Sequence, residues 1–103
     1  MTNYARFKVN GEVSHGVVEG DTVTKISGSP FQSYSSTNES HAVSDVKLLS
    51  PTNPSKVVAI GLNYRSHLGG RPGPSAPEPF LKASTSVIGN GDEIIIPKAA
   101  IDE

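Results

Sequence analysis

The feature that most constrains this sequence is an alternation of apolar and polar residues along residues 4–26. Two dipeptides interrupt the alternation, Asn10-Gly11 and Gly20-Asp21. A period of two is typical of strands that bury one face, and Asn-Gly favours a type I′ hairpin because both central residues take positive φ. The segment therefore predicts a three-stranded antiparallel meander.

The segment that follows, residues 27–45, is rich in serine and has no clear period. We predict a surface loop here, with a short capped helix as the alternative. Glu39 and His41 are residue types that bind metals, but a metal site needs several converging ligands. We therefore interpret His41 as a solvated side chain.

Two short apolar segments come next and are separated by a proline-containing link. Residues 46–49 and 56–60 each predict a strand, and we place a domain boundary in the link between them. Residues 1–50 are then a small N-terminal β domain, and 51–103 are the beginning of a second domain, incomplete at its C-terminal end. The unbroken apolar run at 57–60 predicts a strand that is covered on both faces and buried more deeply than the meander.

A polar cluster is predicted directly after this strand. One helical turn after Gly61 would bring Asn63, Tyr64 and His67 together, because residues three and four apart share a helical face. From spacing alone, His67 is either a hydrogen-bonded structural histidine or a member of a polar site. The loop at 69–79 contains four prolines, and we predict that it forms a lid or rim.

Charge and composition argue against several classes of partner. The net charge is −1 and the nine Lys and Arg residues are scattered, so we expect no nucleic-acid partner. No apolar run approaches the length of a membrane span, and the first twelve residues lack the apolar centre of a signal peptide. There is no cysteine, which suits the cytoplasm. We expect a cytoplasmic protein with no membrane partner.

Several motifs, in a fixed order, resemble the entrance to the catalytic domain of the fumarylacetoacetate hydrolase family. They are GLNYRSH at 61–67, FLK at 80–82 and IGNGDEIIIP at 88–97, in which 94–96 predict a strand entered by a Gly-Asp-Glu turn. Residues 4–26 also resemble the small N-terminal domain of bacterial members. The resemblance implies a mainly β (α+β) fold, in which a small antiparallel β domain precedes the first strands of a mixed-β catalytic fold.

The resemblance also implies a function for the full-length protein. It would be a metal-dependent hydrolase, isomerase or decarboxylase of catabolism, a homodimer that acts on dicarbonyl or 2-oxo acids through a metal-bound enolate, with Mg²⁺ or another divalent cation. The family's Glu-x-Glu metal motif does not occur in this sequence. We expect this chain alone to be inactive and to bind no metal, and we assign no metal ligand among the last carboxylates, which are Asp92, Glu93, Asp102 and Glu103. The alternative is a non-catalytic β-rich module for binding or assembly that keeps the start of this fold.

By the same resemblance, His67 is the catalytic general base. Many members place a glutamate three residues later, where this chain has Gly70. A histidine without this partner loses part of the field that stabilises its imidazolium, which weakens a hydrolytic pair. Isomerisation and decarboxylation through a metal-bound enolate depend less on activated water and stay open. Lys82 is implied to stabilise an enolate, or is a strand-end lysine with its ammonium in solvent. Arg65 is either a receptor for a substrate carboxylate or a solvated arginine. The implied substrate-binding residues are Asn63, Tyr64, Arg65 and Lys82.

Overall fold

A computed structural model describes residues 1–100, and its regular structure is almost entirely β. The strands of this part are β1 (Asn3–Val9), β2 (Glu12–Glu19), β3 (Thr22–Ser27), β4 (Ser35–Ala42), β5 (Lys47–Leu48), β6 (Val57–Gly61) and β7 (Glu78–Lys82). One-turn 3₁₀ helices are formed by Val43–Asp45, Arg65–His67, Ser84–Ser86 and Lys98–Ala100. The predicted mainly β fold is confirmed, and all its strand pairs are antiparallel.

The chain folds into two compact units. The first unit contains Met1–Thr52 together with residues 88–100, and the second contains Asn53–Val87. The assignment of 1–50 and 51–103 to two domains of the whole protein stays a prediction. Among residues 1–100, no helix is long and apolar enough to span a membrane.

The first unit is built on a five-stranded sheet with the order β4-β3-β2-β1-β5. Strands β1, β2 and β3 pair as consecutive antiparallel neighbours. Asn10 and Gly11 have φ values of 48° and 82°, as a type I′ turn requires, and Gly20 at 57° starts the second turn. The predicted meander and the positions of both turns are confirmed.

A small core holds this sheet together. Phe7, Val23 and Ile26 are its fully buried apolar side chains. Gly16 on β2 allows close packing, since a Cβ placed there would lie 2.6 Å from the Thr24 carbonyl oxygen and 2.7 Å from Val23 Cγ2. Such distances are too short for any Cβ, so the core requires glycine at this position.

Strand β4 occupies residues for which we predicted a loop, and that prediction is wrong. The strand is mostly polar because it forms one edge of the sheet, so its sequence shows no apolar alternation. Backbone pairing with β3 does not depend on that alternation. Polar side chains reinforce the pairing: the Thr37 hydroxyl donates to the Lys25 carbonyl at 2.8 Å, and the hydroxyls of Thr24 and Ser40 are 2.9 Å apart.

Residues 88–92 lie against β5 at the other edge of the sheet. A Cβ on Gly89 would lie only 3.0 Å from backbone atoms of Leu48 and Leu49, so the two segments are in close contact. Residues 94–96, which we predicted as a strand, have exposed side chains and no strand assignment. That prediction is wrong, because a strand requires a hydrogen-bonded neighbour and no segment of residues 1–100 pairs with this one.

The second unit contains the pair β6-β7, which is aligned from Val57 opposite Lys82 to Gly61 opposite Glu78. As predicted, β6 lies in a different sheet from the meander. The predicted burial of both faces is wrong, since side chains along β6 alternate between half-buried and exposed, and Val58 is 60% exposed. An apolar run in the sequence does not specify which element covers it. In this unit, β6 has β7 as its strand partner. Because β7 starts at Glu78, the predicted loop is shorter by two residues.

Candidate functional site

Strand β6 leads directly into the GLNYRSH segment. The strand ends at Gly61, and the next residue, Leu62, has a φ of 49°, which turns the chain out of the strand direction. Tyr64 is extended again, with φ −118° and ψ 139°, and Arg65–His67 form one turn of 3₁₀ helix. A helical turn is therefore present after Gly61, as predicted, but it is a single 3₁₀ turn that joins Tyr64 to His67 and does not include Asn63.

Tyr64 and His67 contact each other at this turn. Their ring centroids are 5.8 Å apart with an interplanar angle of 66°, an edge-on arrangement. The backbone N–H of His67 also donates to the Tyr64 carbonyl at 2.9 Å. Tyr64 is 66% exposed and His67 is exposed as well. The imidazole is thus oriented by a neighbouring ring and remains accessible, as a group that exchanges protons with a ligand must be.

Asn63, the third member of the predicted cluster, lines a cavity. This open cavity has a volume of about 330 Å³ and lies between residues 60–63 and residues 73–77 of the proline-rich loop. None of its lining residues is charged, and Asn63 and Ser75 are those with polar side chains. Tyr64 and His67 are not part of the lining. The cavity would therefore suit an uncharged part of a ligand.

The two predicted cationic contacts lie at different places. Arg65 opens the 3₁₀ turn and is exposed. Lys82 ends β7 opposite Val57, at the far end of β6 from Gly61, and its ammonium lies 5.9 Å from the Phe80 ring centroid. Four strand steps separate the two ends of β6, which is about 13 Å. Arg65 therefore belongs to the same turn as His67, whereas Lys82 lies beside the opposite end of β6 from the one that leads into this turn.

The position where many family members have a glutamate is a tight turn in this chain. Gly69 and Gly70 have φ values of 55° and 82°, a left-handed conformation that disfavours residues with side chains. Arg71, which follows, donates from Nε to the Leu68 carbonyl at 3.0 Å. A carboxylate partner for His67 is therefore absent from position 70, and the local backbone would resist its introduction.

No group of three or more His, Cys, Asp or Glu side chains converges within residues 1–100. Asp92 is already engaged: it accepts a hydrogen bond from the Gly89 N–H at 2.8 Å, and Lys47 Nζ lies 3.0 Å from its other oxygen. The backbone hydrogen bond first, and then Lys47, lower the pKa of Asp92 below its usual value. Asp102 and Glu103 lie outside the described residues. Within the described part of the chain, the residues do not fit a magnesium site, which needs several converging oxygens.

A charged cluster that we did not predict lies on the five-stranded sheet. Lys25 Nζ is 2.9 Å from Glu12 and 3.2 Å from Glu39, and Glu39 is 2.9 Å from Nε2 of His41. Hydrogen bonds lower the pKa of Glu12, mainly from Lys25, and that of Glu39, mainly from His41. Glu12 and then Glu39 raise the pKa of Lys25. These residues come from three strands, so only the strand register could have revealed the cluster.

Comparison with known proteins gives both sequence and structural relatives. The sequence model of a family described as Rv2993c-like, N-terminal, matches residues 3–51. Protein Rv2993c of Mycobacterium tuberculosis is 42% identical over 82 residues, which cover 77% of this chain and 31% of that protein. A 2,4-didehydro-3-deoxy-L-rhamnonate hydrolase of Sphingomonas is 47% identical over 45 residues, covering 42% and 16%. The mitochondrial oxaloacetate tautomerase FAHD2A of Homo sapiens is 40% identical over 57 residues, covering 52% and 18%.

Solved structures match almost the whole chain. The structure of Cg1458 with inhibitor superposes with a TM-score of 0.86 at 32% identity, covering 98% of this chain and 42% of that one. The 2-hydroxyhepta-2,4-diene-1,7-dioate isomerase of Mycobacterium marinum gives 0.69 at 29% identity, covering 85% and 34%. The chain belongs to the fumarylacetoacetate hydrolase family. The fold expected of the N-terminal part of this family is confirmed.

Relatives within the fumarylacetoacetate hydrolase family are longer than this chain. The chain spans about a third of the length of the curated relatives that it matches over most of its residues. Those with named activities are a hydrolase, a tautomerase and an isomerase. These activities are those of the relatives, so the roles of individual residues in this chain have to be argued from their own chemistry.

Proposed function

We propose that this chain is the N-terminal part of a fumarylacetoacetate hydrolase family enzyme in which His67 is the catalytic general base. The main support is the position of His67, which is exposed on a turn fixed to the end of β6 and oriented by the edge-on ring of Tyr64. A general base needs a defined direction and access to the proton it removes. The hydrolase, tautomerase and isomerase among the relatives support an enzymatic role.

The substrate class that we propose is a dicarbonyl or 2-oxo acid that reacts through an enolate. In this reaction, His67 as neutral imidazole takes a proton from the carbon beside the carbonyl, and the electron pair of the broken C–H bond forms a C=C bond while charge moves to oxygen. The imidazolium then returns the proton to oxygen or to another carbon, which completes a tautomerisation or isomerisation. One relative is named for the tautomerisation of oxaloacetate, a 2-oxo acid.

A divalent cation, Mg²⁺ or a similar ion, is proposed for the full-length enzyme. When bound, such an ion stabilises negative charge on a substrate oxygen. Residues 1–100 contain no group of three metal-ligating side chains, so we propose that its ligands come from outside them.

We propose tautomerisation, isomerisation or decarboxylation in preference to hydrolysis. Hydrolysis requires a base that activates water, and an imidazole does this best beside a carboxylate that stabilises the imidazolium. Position 70 supplies glycine in a left-handed conformation instead of a glutamate. Enolate chemistry needs only that His67 reach a carbon acid, so the departure affects it less.

We also propose that the full-length enzyme is a cytoplasmic homodimer of catabolism with no nucleic-acid or membrane partner. The net charge of −1 and the scattered cationic residues support the absence of a nucleic-acid partner. Sedimentation of the full-length protein tests the dimer. A single monomeric species across the micromolar range would contradict it.

Proton exchange tests the proposed chemistry directly. The full-length protein is incubated in D₂O with a panel of 2-oxo acids and added Mg²⁺, and NMR follows deuterium at the carbon beside the carbonyl. We expect protein-dependent exchange with at least one acid, because enolate formation breaks that C–H bond. A folded protein that accelerates exchange of none of them contradicts the proposal.

A non-catalytic module for binding or assembly is the alternative function, and one observation favours it. Val58 and Leu81 are directly paired across β6-β7, so their side chains share a face, and they are 60% and 71% exposed. Exposed apolar faces of this kind often mark interaction surfaces. Failure of the exchange experiment with a folded, full-length protein would favour this alternative.

A further inference from the structure

Leu62 has a backbone conformation that is uncommon for a residue with a side chain. Its φ of 49° lies in the left-handed region. The other non-glycine residue in this region among residues 1–100 is Asn10, which sits at a hairpin turn where asparagine is favoured. Leucine has no such preference, so the structure around Leu62 must hold it there.

Leu62 lies between the end of β6 and the turn that carries Tyr64 and His67, so its conformation affects the direction of that turn. Gly61 makes the last pair of β6 with Glu78, and the chain is extended again at Tyr64. His67 then bonds back to the Tyr64 carbonyl, which links the two residues into one turn. A change of φ at Leu62 would swing that whole turn away from its present direction relative to β6.

Leu62 has a second feature that offers a competing explanation. Its side chain is 39% exposed, and the residue lines the cavity between the end of β6 and the proline-rich loop. Leucine could therefore be present for its apolar packing rather than for its backbone. Substitution separates the two roles, because asparagine accepts the left-handed conformation without the apolar side chain, whereas isoleucine keeps the apolar volume but resists that conformation.

We propose that Leu62 is a positioning residue, and that its left-handed backbone sets the direction from which Tyr64 and His67 approach a ligand. Its side chain is secondary to this role. The kinetic consequence rests on the proposed function of His67, but the geometric claim does not.

The experiment uses full-length protein with ¹³C-labelled histidine and compares Leu62→Asn with Leu62→Ile. The edge-on Tyr64 ring shifts the His67 ring protons, and Tyr64→Leu supplies the reference for a lost contact. We expect Leu62→Asn to keep the wild-type His67 shift and Leu62→Ile to move it toward the Tyr64→Leu value. On the best substrate from the exchange panel, Leu62→Ile should lower kcat by up to about 10²-fold, as expected for a displaced base.

The opposite pattern, in which Leu62→Ile resembles wild type and Leu62→Asn does not, overturns the proposal in favour of side-chain packing. Wild-type shifts in both variants, or displaced shifts in both, also overturn it. Leu62→Val provides a smaller β-branched variant in case Leu62→Ile does not fold. Unfolding of both β-branched variants beside a folded Leu62→Asn supports the backbone requirement. If His67→Ala leaves turnover unchanged, the proposed function fails, and the NMR comparison still decides the role of Leu62.

Discussion

Gly16 shows how one residue determines the packing of the first unit. It lies on β2 where the backbone of β3 and the side chain of Phe7 come closest, and a Cβ there would be 3.0 Å from the Phe7 ring as well as nearer to β3. Phe7 and Val23 are fully buried and cannot move aside without opening the core. The requirement for glycine here is one of space.

We expect Gly16→Ala to lower the free energy of unfolding by about 1–3 kcal/mol, the usual cost of overpacking a core. Chemical denaturation measures the change. Gly73→Ala is the matched control, because its Cβ would meet only Leu68 Cδ1 at an ordinary 3.6 Å. Equal effects of the two substitutions would contradict this account of the core.

Residue spacing predicted part of the candidate site. The three-residue separation of Tyr64 and His67 correctly indicated that a turn would bring them together. The left-handed conformation of Leu62 had no signal in the sequence, since leucine is not a residue that favours it. The location of Lys82 at the opposite end of β6 depended on strand register, which the motif FLK does not specify.

Strands were predicted correctly where an alternation of apolar and polar residues reflects the burial of one face. They were missed where the sequence has no such alternation. The meander was predictable because alternation and Asn-Gly turns agree with each other. Strand β4 was missed because an edge strand forms through backbone pairing with few apolar side chains. The burial of β6 was overestimated because an apolar run does not specify its covering element.

An ion pair between Asp92 and Lys47 of β5 joins residues 88–92 to the edge of the sheet. The pKa of Asp92 is lowered from 3.8 by the Gly89 N–H and then by Lys47. A group with a lowered folded pKa stabilises the fold fully above its unfolded pKa and loses this effect as pH falls through the folded value. We therefore expect the NMR shift of the Gly89 amide proton to follow the titration of Asp92, with a midpoint below pH 3.8.

In Asp92→Asn, the low-pH change in the Gly89 amide shift should disappear, while Asp21→Asn, at the turn between β2 and β3, should leave it in place. If the Gly89 shift still changes at low pH in Asp92→Asn, the hydrogen bond to Asp92 is not the cause of that change.

Lys25 links β2 and β4 across β3 through its two glutamate partners. The pKa of Glu12 is lowered from 4.5 and the pKa of Lys25 is raised from 10.5. Their pairing therefore stabilises the fold between about pH 4.5 and pH 10.5. The contribution is lost as pH falls through the folded pKa of Glu12 or rises through that of Lys25. We expect Lys25→Met to raise the pKa of Glu12 toward 4.5.

Carboxyl ¹³C NMR titration measures that pKa. Lys8→Met, on β1 of the same sheet, is the control and should leave the Glu12 titration unchanged. A Glu12 pKa that stays low without Lys25 would contradict the assignment of the shift to this pair.

At the scale of the whole molecule, the chain has an exposed histidine on the 3₁₀ turn at Arg65–His67 and a cavity without charged lining residues. Among the described residues, it has no converging set of metal ligands. We therefore expect this chain to bind Mg²⁺ no more tightly than an ordinary acidic surface. Titration calorimetry measures the affinity. Micromolar binding that is lost in Glu93→Ala or Asp102→Ala would contradict this expectation.

The most direct test of the catalytic proposal is the turnover of the full-length protein with His67→Ala. If His67 is the general base, kcat for enol–keto interconversion of a 2-oxo acid should fall by about 10²–10⁴-fold, while Tm stays close to wild type because the side chain is exposed. His41→Ala, on β4 in the other unit, is the matched control and should keep kcat. A folded His67→Ala variant with wild-type turnover would contradict the account.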